Sequence, residues 1–360
     1  SWYEYGWGLT QLNDGGFAVV GRKEQRSNKK ADMILIRTDE NGFGIWEKTY
    51  GGSDNDEGYS VVQTSDGNII SVGFSWSYGN KQQILAVKTD LSGHMLWRKT
   101  YGGSNREIGH KAIISSDGNI LIVGQTNSPG FSRGNDDIWL IKIDQDGNEM
   151  WNKAYGLQNH EKGHDILELD SGEFIIVGYR DFYQKSDKDI LVLKIDSQGN
   201  TIWEKIIGVD GVYEEVAYSI SKSSDYGYLI CSSTNAKGNN LFDPQIINID
   251  FDGNIIWNKT YNGSGLPHTR WSATSTKDGG AAIIGTTNYY GLKNEDSYIL
   301  KIDKKGEKLW DYAVQGGEND WGWVIIETFI EELVLVGSTK SFGSGLFDIL
   351  LARISNFPEN

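Results

Sequence analysis

The sequence has very little cysteine and proline: one Cys231 and four prolines in 360 residues. A single cysteine excludes an intrachain disulfide, so cysteine usage does not indicate a compartment. No apolar run approaches the roughly 18 residues that a membrane span needs, and we expect no membrane insertion. Stretches rich in Ala, Leu and Glu are also scarce, which favours an all-β protein over a helical one.

Basic residues are outnumbered, with 34 Lys and Arg against 49 Asp and Glu, a net charge of −15. We therefore expect no nucleic-acid partner, because phosphate binding needs a basic surface. The chain begins at Ser1 without a Met or a charged and then apolar leader. We expect from this a mature or trimmed product.

Glycine and aromatic residues are abundant, and six tryptophans recur at separations of 51 to 54 residues. The text around them repeats, as in Trp46-Glu-Lys-Thr-Tyr-Gly-Gly52 and Trp97-Arg-Lys-Thr-Tyr-Gly-Gly103. The six positions are Trp46, Trp97, Trp151, Trp203, Trp257 and Trp310. A fixed period near 50 residues predicts a repeat architecture in which each unit packs on its neighbours.

Alternation and turn residues predict four short strands in each period. In the second period they are Tyr59–Thr64, Ile69–Phe74, Ile84–Thr89 and His94–Tyr101. Asp66-Gly67-Asn68 joins the first two strands, and Asp90 to Gly93 joins the last two, both with residues typical of tight turns. A four-stranded unit of this length is typical of a propeller blade.

Seven such units predict a seven-bladed β-propeller of four-stranded antiparallel blades, forming one domain over 1–360. The units run approximately over 4–50, 56–102, 107–156, 161–208, 214–263, 268–316 and 320–355. The last unit has no Trp-bearing fourth strand. Three explanations stay open: a blade of three strands, a stub of the fourth strand supplied by Ser1–Tyr3, or a lost upstream segment.

The repeat resembles the Trp-containing, quinoprotein-like propeller repeats of secreted and surface proteins of bacteria and archaea. The run from Asp144 to Trp151, Asp-x-x-Gly-x-x-x-Trp, carries this resemblance together with the following Tyr-Gly-Gly. The resemblance implies an extracellular or cell-surface location. The quinoprotein dehydrogenases themselves use eight blades and commonly a pair of adjacent cysteines, whereas this chain has seven units and one cysteine. We therefore expect no redox cofactor.

Two registers recur at the start of the innermost strand, where a propeller opens onto its central channel and where the longer loops lie. One register is aromatic in all seven units: Trp7, Tyr59, His110, His164, Tyr218, Trp271 and Trp323. Three residues earlier the register is acidic in six units, with His268 in the other: Glu4, Asp56, Glu107, Glu161, Glu215 and Asp320. Aromatic rings that stack on sugars and carboxylates that accept hydroxyl hydrogen bonds form a candidate ligand site. The alternative is structural, since symmetric packing also repeats a residue in every blade.

Two short motifs predict no metal. His160-Glu161-Lys162-Gly163-His164 matches the zinc-protease pattern, but that pattern works only on a helix, and this run lies between predicted blades. The runs from Asp144 to Asn148 and from Asp250 to Asn254 resemble calcium loops without the remaining ligands. Hairpin turns account for them, with a weak surface calcium site as the alternative.

We expect a secreted or surface binding module that recognises a carbohydrate or a protein, rather than an enzyme. The first alternative is a glycan-active hydrolase or lyase that uses Glu107, His110, Glu161 and His164. The second is a structural spacer within a larger surface assembly. A catalytic site would break the seven-fold pattern with one or two deep, unlike residues, whereas a binding module or spacer would not.

Overall fold

The computed structural model describes residues 2–79, 81–132, 135–156, 159–182, 187–208, 213–224, 227–236, 241–262, 270–288, 294–314, 316–343 and 346–354. These residues form 27 β-strands and contain no α-helix. Accordingly, the described part of the chain offers no helix that could cross a membrane.

The strands follow one another in six blades of four strands and a last blade of three described strands. Blades one to four consist of β1 Trp2–Gln11, β2 Phe17–Gln25, β3 Ala31–Thr38, β4 Gly44–Tyr50, β5 Asp56–Gln63, β6 Ile69–Ser75, β7 Gln83–Thr89, β8 Met95–Tyr101, β9 Glu107–Ile114, β10 Ile120–Thr126, β11 Asp137–Ile143, β12 Glu149–Tyr155, β13 His160–Glu168, β14 Phe174–Phe182, β15 Asp187–Ile195 and β16 Thr201–Ile207. Blades five to seven consist of β17 Glu215–Ser223, β18 Gly227–Thr234, β19 Asp243–Ile249, β20 Ile255–Thr260, β21 Ser272–Ser275, β22 Ala281–Thr287, β23 Asp296–Ile302, β24 Lys308–Val314, β25 Asp320–Glu327, β26 Leu333–Thr339 and β27 Asp348–Ile354.

Each blade is a meander in which consecutive strands pair, so the chain is a seven-bladed β-propeller. The prediction of fold class is confirmed, and the last sheet has three strands, β25 to β27, among the described residues. Trp2 and Tyr3 pair with Gln25 and Glu24 inside blade one. The explanation in which these two residues supply the missing strand of the last blade is therefore wrong, and Ser1 lies outside the described residues.

Contacts divide the chain into two compact units. The first unit comprises Ser1–Ile176, Arg180–Gln184 and Leu193–Glu204, and therefore contains blades one to three and most of blade four. The second unit comprises Val177–Tyr179, Lys185–Val192 and Lys205–Asn360. One domain over 1–360 stays a prediction.

The hydrophobic core lies between neighbouring blades. In the first unit, Val72 and Ile84 of blade two pack with Ile122, Trp139 and Ile141 of blade three. Every residue of β6, β7, β10 and β11 is buried. A blade therefore buries its faces only against its neighbours, as expected of a repeat architecture.

The repeated tryptophan and, in four of the six cases, a tyrosine four residues later fasten an outer strand to the next blade; β16 and β24 carry Ile207 and Val314 at the tyrosine position. The Trp97 indole N–H donates to the carbonyl of Gln145 at 3.0 Å, and the Tyr101 hydroxyl donates to the carbonyl of Gly147 at 2.8 Å. Gly147 has a φ of 74°, which favours glycine, and a Cβ there would lie 3.2 Å from the Trp97 ring. The tyrosine bond has four copies: Tyr50–Gly93, Tyr101–Gly147, Tyr155–Gly199 and Tyr261–Gly306.

A glycine-to-alanine pair tests this fastening. Gly306 and Gly67 both have positive φ, but a Cβ at Gly306 would lie 2.9 Å from the Trp257 ring, whereas one at Gly67 meets nothing within 4 Å. Both alanine variants pay the left-handed strain of about 1–2 kcal/mol. We expect Gly306→Ala to lose a further 1–3 kcal/mol, roughly the cost of overpacking. Chemical denaturation of both variants measures the difference, and equal losses would contradict the fastening.

Candidate functional site

The aromatic register coincides with a β-bulge near the start of the first strand. In β1 the register with β2 shifts between Gly6 and Gly8, which leaves Trp7 as the extra residue. Tyr59 and His110 are the extra residues of the equivalent bulges in blades two and three. Tyr218 and Trp323 are the extra residues in blades five and seven. A bulge frees one side chain from the alternation of the strand and re-aims it, often beside a functional site.

In the first unit these residues form a continuous line of rings, which we call the aromatic row: Trp7, Tyr59, His110 and His164. The ring centroids of Trp7 and Tyr59 are 5.2 Å apart, those of Tyr59 and His110 are 5.8 Å apart, and those of the two histidines are 5.3 Å apart. Tyr5 extends the row, since its ring stacks on Trp7 at 6.0 Å. All four rings of the row are half-buried, so each keeps an accessible part.

The second unit places its three aromatic residues differently. Tyr218 lies under the guanidinium of Arg270 at 5.8 Å, and the Trp323 indole donates to Ser338 Oγ at 3.3 Å. Trp271 is fully buried in a hydrophobic cluster and makes an edge-to-face contact with Tyr298 at 5.9 Å. This placement in the core differs from the expected position at the channel mouth. The strand β21 begins only at Ser272, so Trp271 is not the extra residue of a bulge.

One network beside the aromatic row joins blades one and two through a charged pair. Glu57 accepts a hydrogen bond from the Tyr59 hydroxyl at 2.9 Å and one from Arg22 at 2.8 Å. The Arg22 guanidinium lies over the Tyr5 ring at 5.7 Å and also pairs with Glu24. Burial raises the pKa of Glu57, and the bonds from Arg22 and Tyr59 oppose that rise. Sequence reasoning missed Glu57. The signal that could have found it is the residue type, because the equivalent position is apolar in other blades, with Ile108 in blade three and Val216 in blade five.

The acidic register lies inside the protein rather than on an open surface. Asp56, Glu107, Glu161 and Asp320 are fully buried, and Glu215 is nearly so. Glu107 accepts from the Gly103 backbone N–H at 3.1 Å, from Gln83 at 3.0 Å and from Thr126 at 2.9 Å, and also from Ser128. Asp56 likewise accepts from Gly52 and Ser77. These contacts join the start of a blade to the connection before it, as the structural alternative proposes. The ligand role of these carboxylates stays a prediction.

Two positions of the acidic register carry ion pairs instead. Glu161 accepts from the Arg180 guanidinium at 2.7 Å, and Arg180 also contacts Glu204 at 2.8 Å. Glu4, which is half-buried, pairs with Lys23 at 2.8 Å. His268, the exception in this register, lies outside the described residues.

The zinc-like run lies on β13 and not on a loop between blades. His160 faces Asp136 at 3.8 Å, Glu161 pairs with Arg180, and His164 contacts the His110 ring. The three side chains thus have separate partners and do not converge on one metal. No three or more His, Cys, Asp and Glu side chains of the described chain are placed to hold a metal ion.

The calcium-like runs are turns. One oxygen of Asp144 accepts from the backbone N–H of Asp146 and Asn148 at 2.9 and 2.8 Å, and the other accepts from the Asn148 side chain at 2.9 Å. Asp250 repeats all three bonds with Asp252 and Asn254. Both carboxylates therefore stabilise their own turns by accepting these hydrogen bonds.

The sequence predicts long, variable loops on the face where the central channel opens, at Arg22–Ala31 and four further connections, and the first of them is shorter than predicted. Between Arg22 and Ala31, residues Arg22 to Gln25 belong to β2, and Gln25 closes the turn by bonding Lys30 and Lys29. The other four, Thr126–Asn135, Tyr179–Lys188, Asn235–Asp243 and Thr287–Glu295, lie partly outside the described residues.

Comparison with known proteins shows the fold and leaves the family open. No family model matches the chain. The regulatory protein FlaEY of Caulobacter vibrioides is 21% identical over 328 residues, which are 79% of this chain but 33% of that protein. The chain thus spans about a third of the length of the curated relative it matches.

Solved propellers with unlike activities share the fold. A PL25 polysaccharide lyase, an ulvan lyase, superposes with a TM-score of 0.61 at 9% identity, covering 97% of this chain and 94% of that one. A puromycin hydrolase gives 0.58 at 12% identity, covering 96% and 51%. An α-L-arabinanase of Penicillium chrysogenum complexed with arabinobiose gives 0.52 at 13% identity, covering 82% and 91%. At such identities the likeness is one of fold alone.

The internal role of the acidic register is testable at Glu107. In Glu107→Gln only one acceptor oxygen remains for the four donors, so whichever way the amide turns, its N–H₂ faces two groups that donate to Glu107 and a buried donor is left unsatisfied. We expect a loss of about 1–3 kcal/mol in unfolding free energy. The control Asp252→Asn, at an exposed position, should change stability little. A Glu107→Gln protein of unchanged stability would contradict the structural role.

Proposed function

We propose that the chain is a carbohydrate-binding propeller whose aromatic row stacks against the sugar rings of a glycan. The observation that carries this proposal is the continuous, half-buried line of rings from Trp7 to His164, in which Trp7, Tyr59 and His110 lie at bulges of inner strands. Aromatic faces pair with the apolar faces of sugar rings, and rigid side chains lose little entropy on binding. The row offers several adjacent rings, which suits an oligosaccharide better than a monosaccharide.

The charges around the row favour a neutral glycan. Arg22 is paired with Glu57 and Glu24, and Lys23 is paired with Glu4 and Glu47. The whole chain carries a net charge of −15, which repels a polyanion. Binding of a neutral oligosaccharide should therefore depend only weakly on salt.

The tests are a glycan array and then calorimetric titration of the best ligand. We expect Trp7→Ala and Tyr59→Ala each to weaken binding tenfold or more, which is about 1.4 kcal/mol. Tyr312→Ala is the matched control, because Tyr312 is exposed on β24 and is not a member of the row. Far-ultraviolet circular dichroism checks that each variant folds. Binding that survives both changes in the row, or no binding to any glycan, would contradict the proposal.

A glycan-active lyase or hydrolase is the second candidate, and the Tyr59–Glu57–Arg22 network favours it. A phenol hydrogen-bonded to a buried carboxylate of raised pKa, within ring contact of His110, has the parts of an acid–base pair. The buried Glu107 and Glu161 have internal hydrogen-bond and ion-pair partners, so this candidate enzyme does not use them as catalytic groups.

Turnover separates the two candidates. Neutral and uronic polysaccharides are incubated with the protein, and reducing ends and unsaturated products are measured. If the chain is an enzyme, Tyr59→Phe keeps the stacking ring and removes the hydroxyl, so turnover should fall at least a hundredfold, the usual size of an acid–base contribution. Binding without turnover in the unaltered protein would exclude the enzyme.

We further propose an extracellular or cell-surface location, which the resemblance of the repeat to surface propellers supports. Fractionation of the producing cell tests it, and a protein confined to the cytoplasm would contradict it.

A further inference from the structure

A second set of buried carboxyl groups lies between neighbouring blades. In these sites an aspartate at the start of a third strand, its first or second residue, meets the acidic register of the next blade across a glycine. Asp296 of β23 and Asp320 of β25 meet across Gly316: Asp296 accepts the Gly316 backbone N–H, and an oxygen of Asp320 crowds the space a Gly316 Cβ would need. Asp296 is 2% exposed and Asp320 is 0% exposed.

The same geometry recurs in the first unit. A Cβ placed on Gly51 would lie 2.8 Å from an oxygen of Asp56, and an oxygen of Asp32 would lie closer still. A Cβ on Gly156 would likewise lie 2.9 Å from Glu161, with Asp137 closer. Asp56, Asp137 and Glu161 are buried and Asp32 is partly buried, and two carboxyl groups that meet in this way repel each other strongly when both are charged.

Blade two shows how the arrangement is satisfied when one partner is neutral. There the third strand carries Gln83 where the other blades carry an aspartate, and its amide N–H₂ donates to Glu107 at 3.0 Å. In the Asp296–Asp320 site no such donor is present: Asp296 Oδ1 and Asp320 Oδ2 are buried and make no hydrogen bond within the described residues. The other oxygen of Asp320 accepts from Thr339 at 2.5 Å.

No cation of the described chain neutralises the pair. Among the described residues, the charged side chains on the adjoining segments are Glu295, Glu318 and Lys340. Glu295 accepts the Trp321 indole N–H at 2.7 Å, and the Lys340 ammonium lies over the Phe347 ring at 4.5 Å. Burial, reinforced by the charge of Asp320, raises the pKa of Asp296, and burial with the charge of Asp56 raises the pKa of Asp32.

We propose that Asp296 holds a proton that it donates to Asp320, and that the partly buried Asp32 holds one that it donates to Asp56. The protonated carboxyl donates to its charged partner and so takes the part that the Gln83 amide plays in blade two. These pairs are proton-binding sites built into the joints between blades. Because these pairs bind and release protons, the stability of the contacts between blades depends on pH.

The direction of that dependence follows from linkage. A carboxyl whose folded pKa is raised stabilises the fold fully below its unfolded pKa and loses this contribution as the pH rises through its folded value. Asp296→Asn replaces the shared proton by a permanent amide donor. The difference in Tm between the variant and the unaltered protein should therefore grow in favour of the variant between about pH 4 and pH 8.

Gln83→Glu is the reciprocal variant and the matched control. It creates a carboxyl pair with Glu107 where the chain has none, so its Tm should fall further below that of the unaltered protein as the pH rises. We expect each change to reach about 2–4 °C. Parallel Tm curves for both variants across the range would overturn the proposal.

Infrared difference spectroscopy gives a readout that a purely structural role would not move. At neutral pH the unaltered protein should show the carbonyl stretch of a protonated carboxylic acid, and Asp296→Asn should reduce it. The same samples are melted with Ca²⁺ and with EDTA. Absence of the protonated carboxyl signal would overturn the proposal. A Tm that Ca²⁺ raises in the unaltered protein and not in Asp296→Asn would also overturn it, because a cation would then take the place of the proton.

Discussion

The fold depends on the docking of outer-strand tryptophans and tyrosines on the turn of the next blade, as Trp46 with Tyr50 and Trp97 with Tyr101 show. A single four-stranded meander is too small to bury its own faces, so each blade is stable only when it packs against its neighbour. Trp97 and Tyr101 bond to the turn that ends in Gly147, and the positive φ of that glycine brings the turn close enough to the indole. Burial raises the pKa of the equivalent Tyr50 to about 12, so this hydroxyl remains a donor across the physiological range.

The candidate site uses what this packing leaves free. Alternating residues of the first strands are committed to the core and to the carboxylates that tie blades together, such as Glu107. The bulge adds one residue that neither task requires, and in blades one to three that residue is Trp7, Tyr59 or His110. Repetition therefore has two outcomes: the acidic register, apart from the half-buried Glu4, is buried inside the protein, whereas the rings of the aromatic row stay partly accessible.

The repeat made the fold predictable, while the site was predictable only in part. The tryptophan period and the turn residues after Asp66 and Asp90 predict the number and order of strands. A turn depends on a few neighbouring residues, and the period can be measured directly from the sequence. The register could not distinguish Trp7 from Trp271, because burial depends on which strand covers a residue: the first is half-exposed and the second is in the core. Glu57 was missed, since its partners Arg22 and Tyr59 come from two different blades.

The most direct test of the account is a crystal structure of the protein soaked with a neutral oligosaccharide that the glycan array selects. The account predicts sugar rings stacked on Trp7 and Tyr59, with no sugar on the outer-strand tryptophans such as Trp97, whose indole is held by the next blade. A ligand bound away from the aromatic row, with Trp7 and Tyr59 untouched, would contradict it.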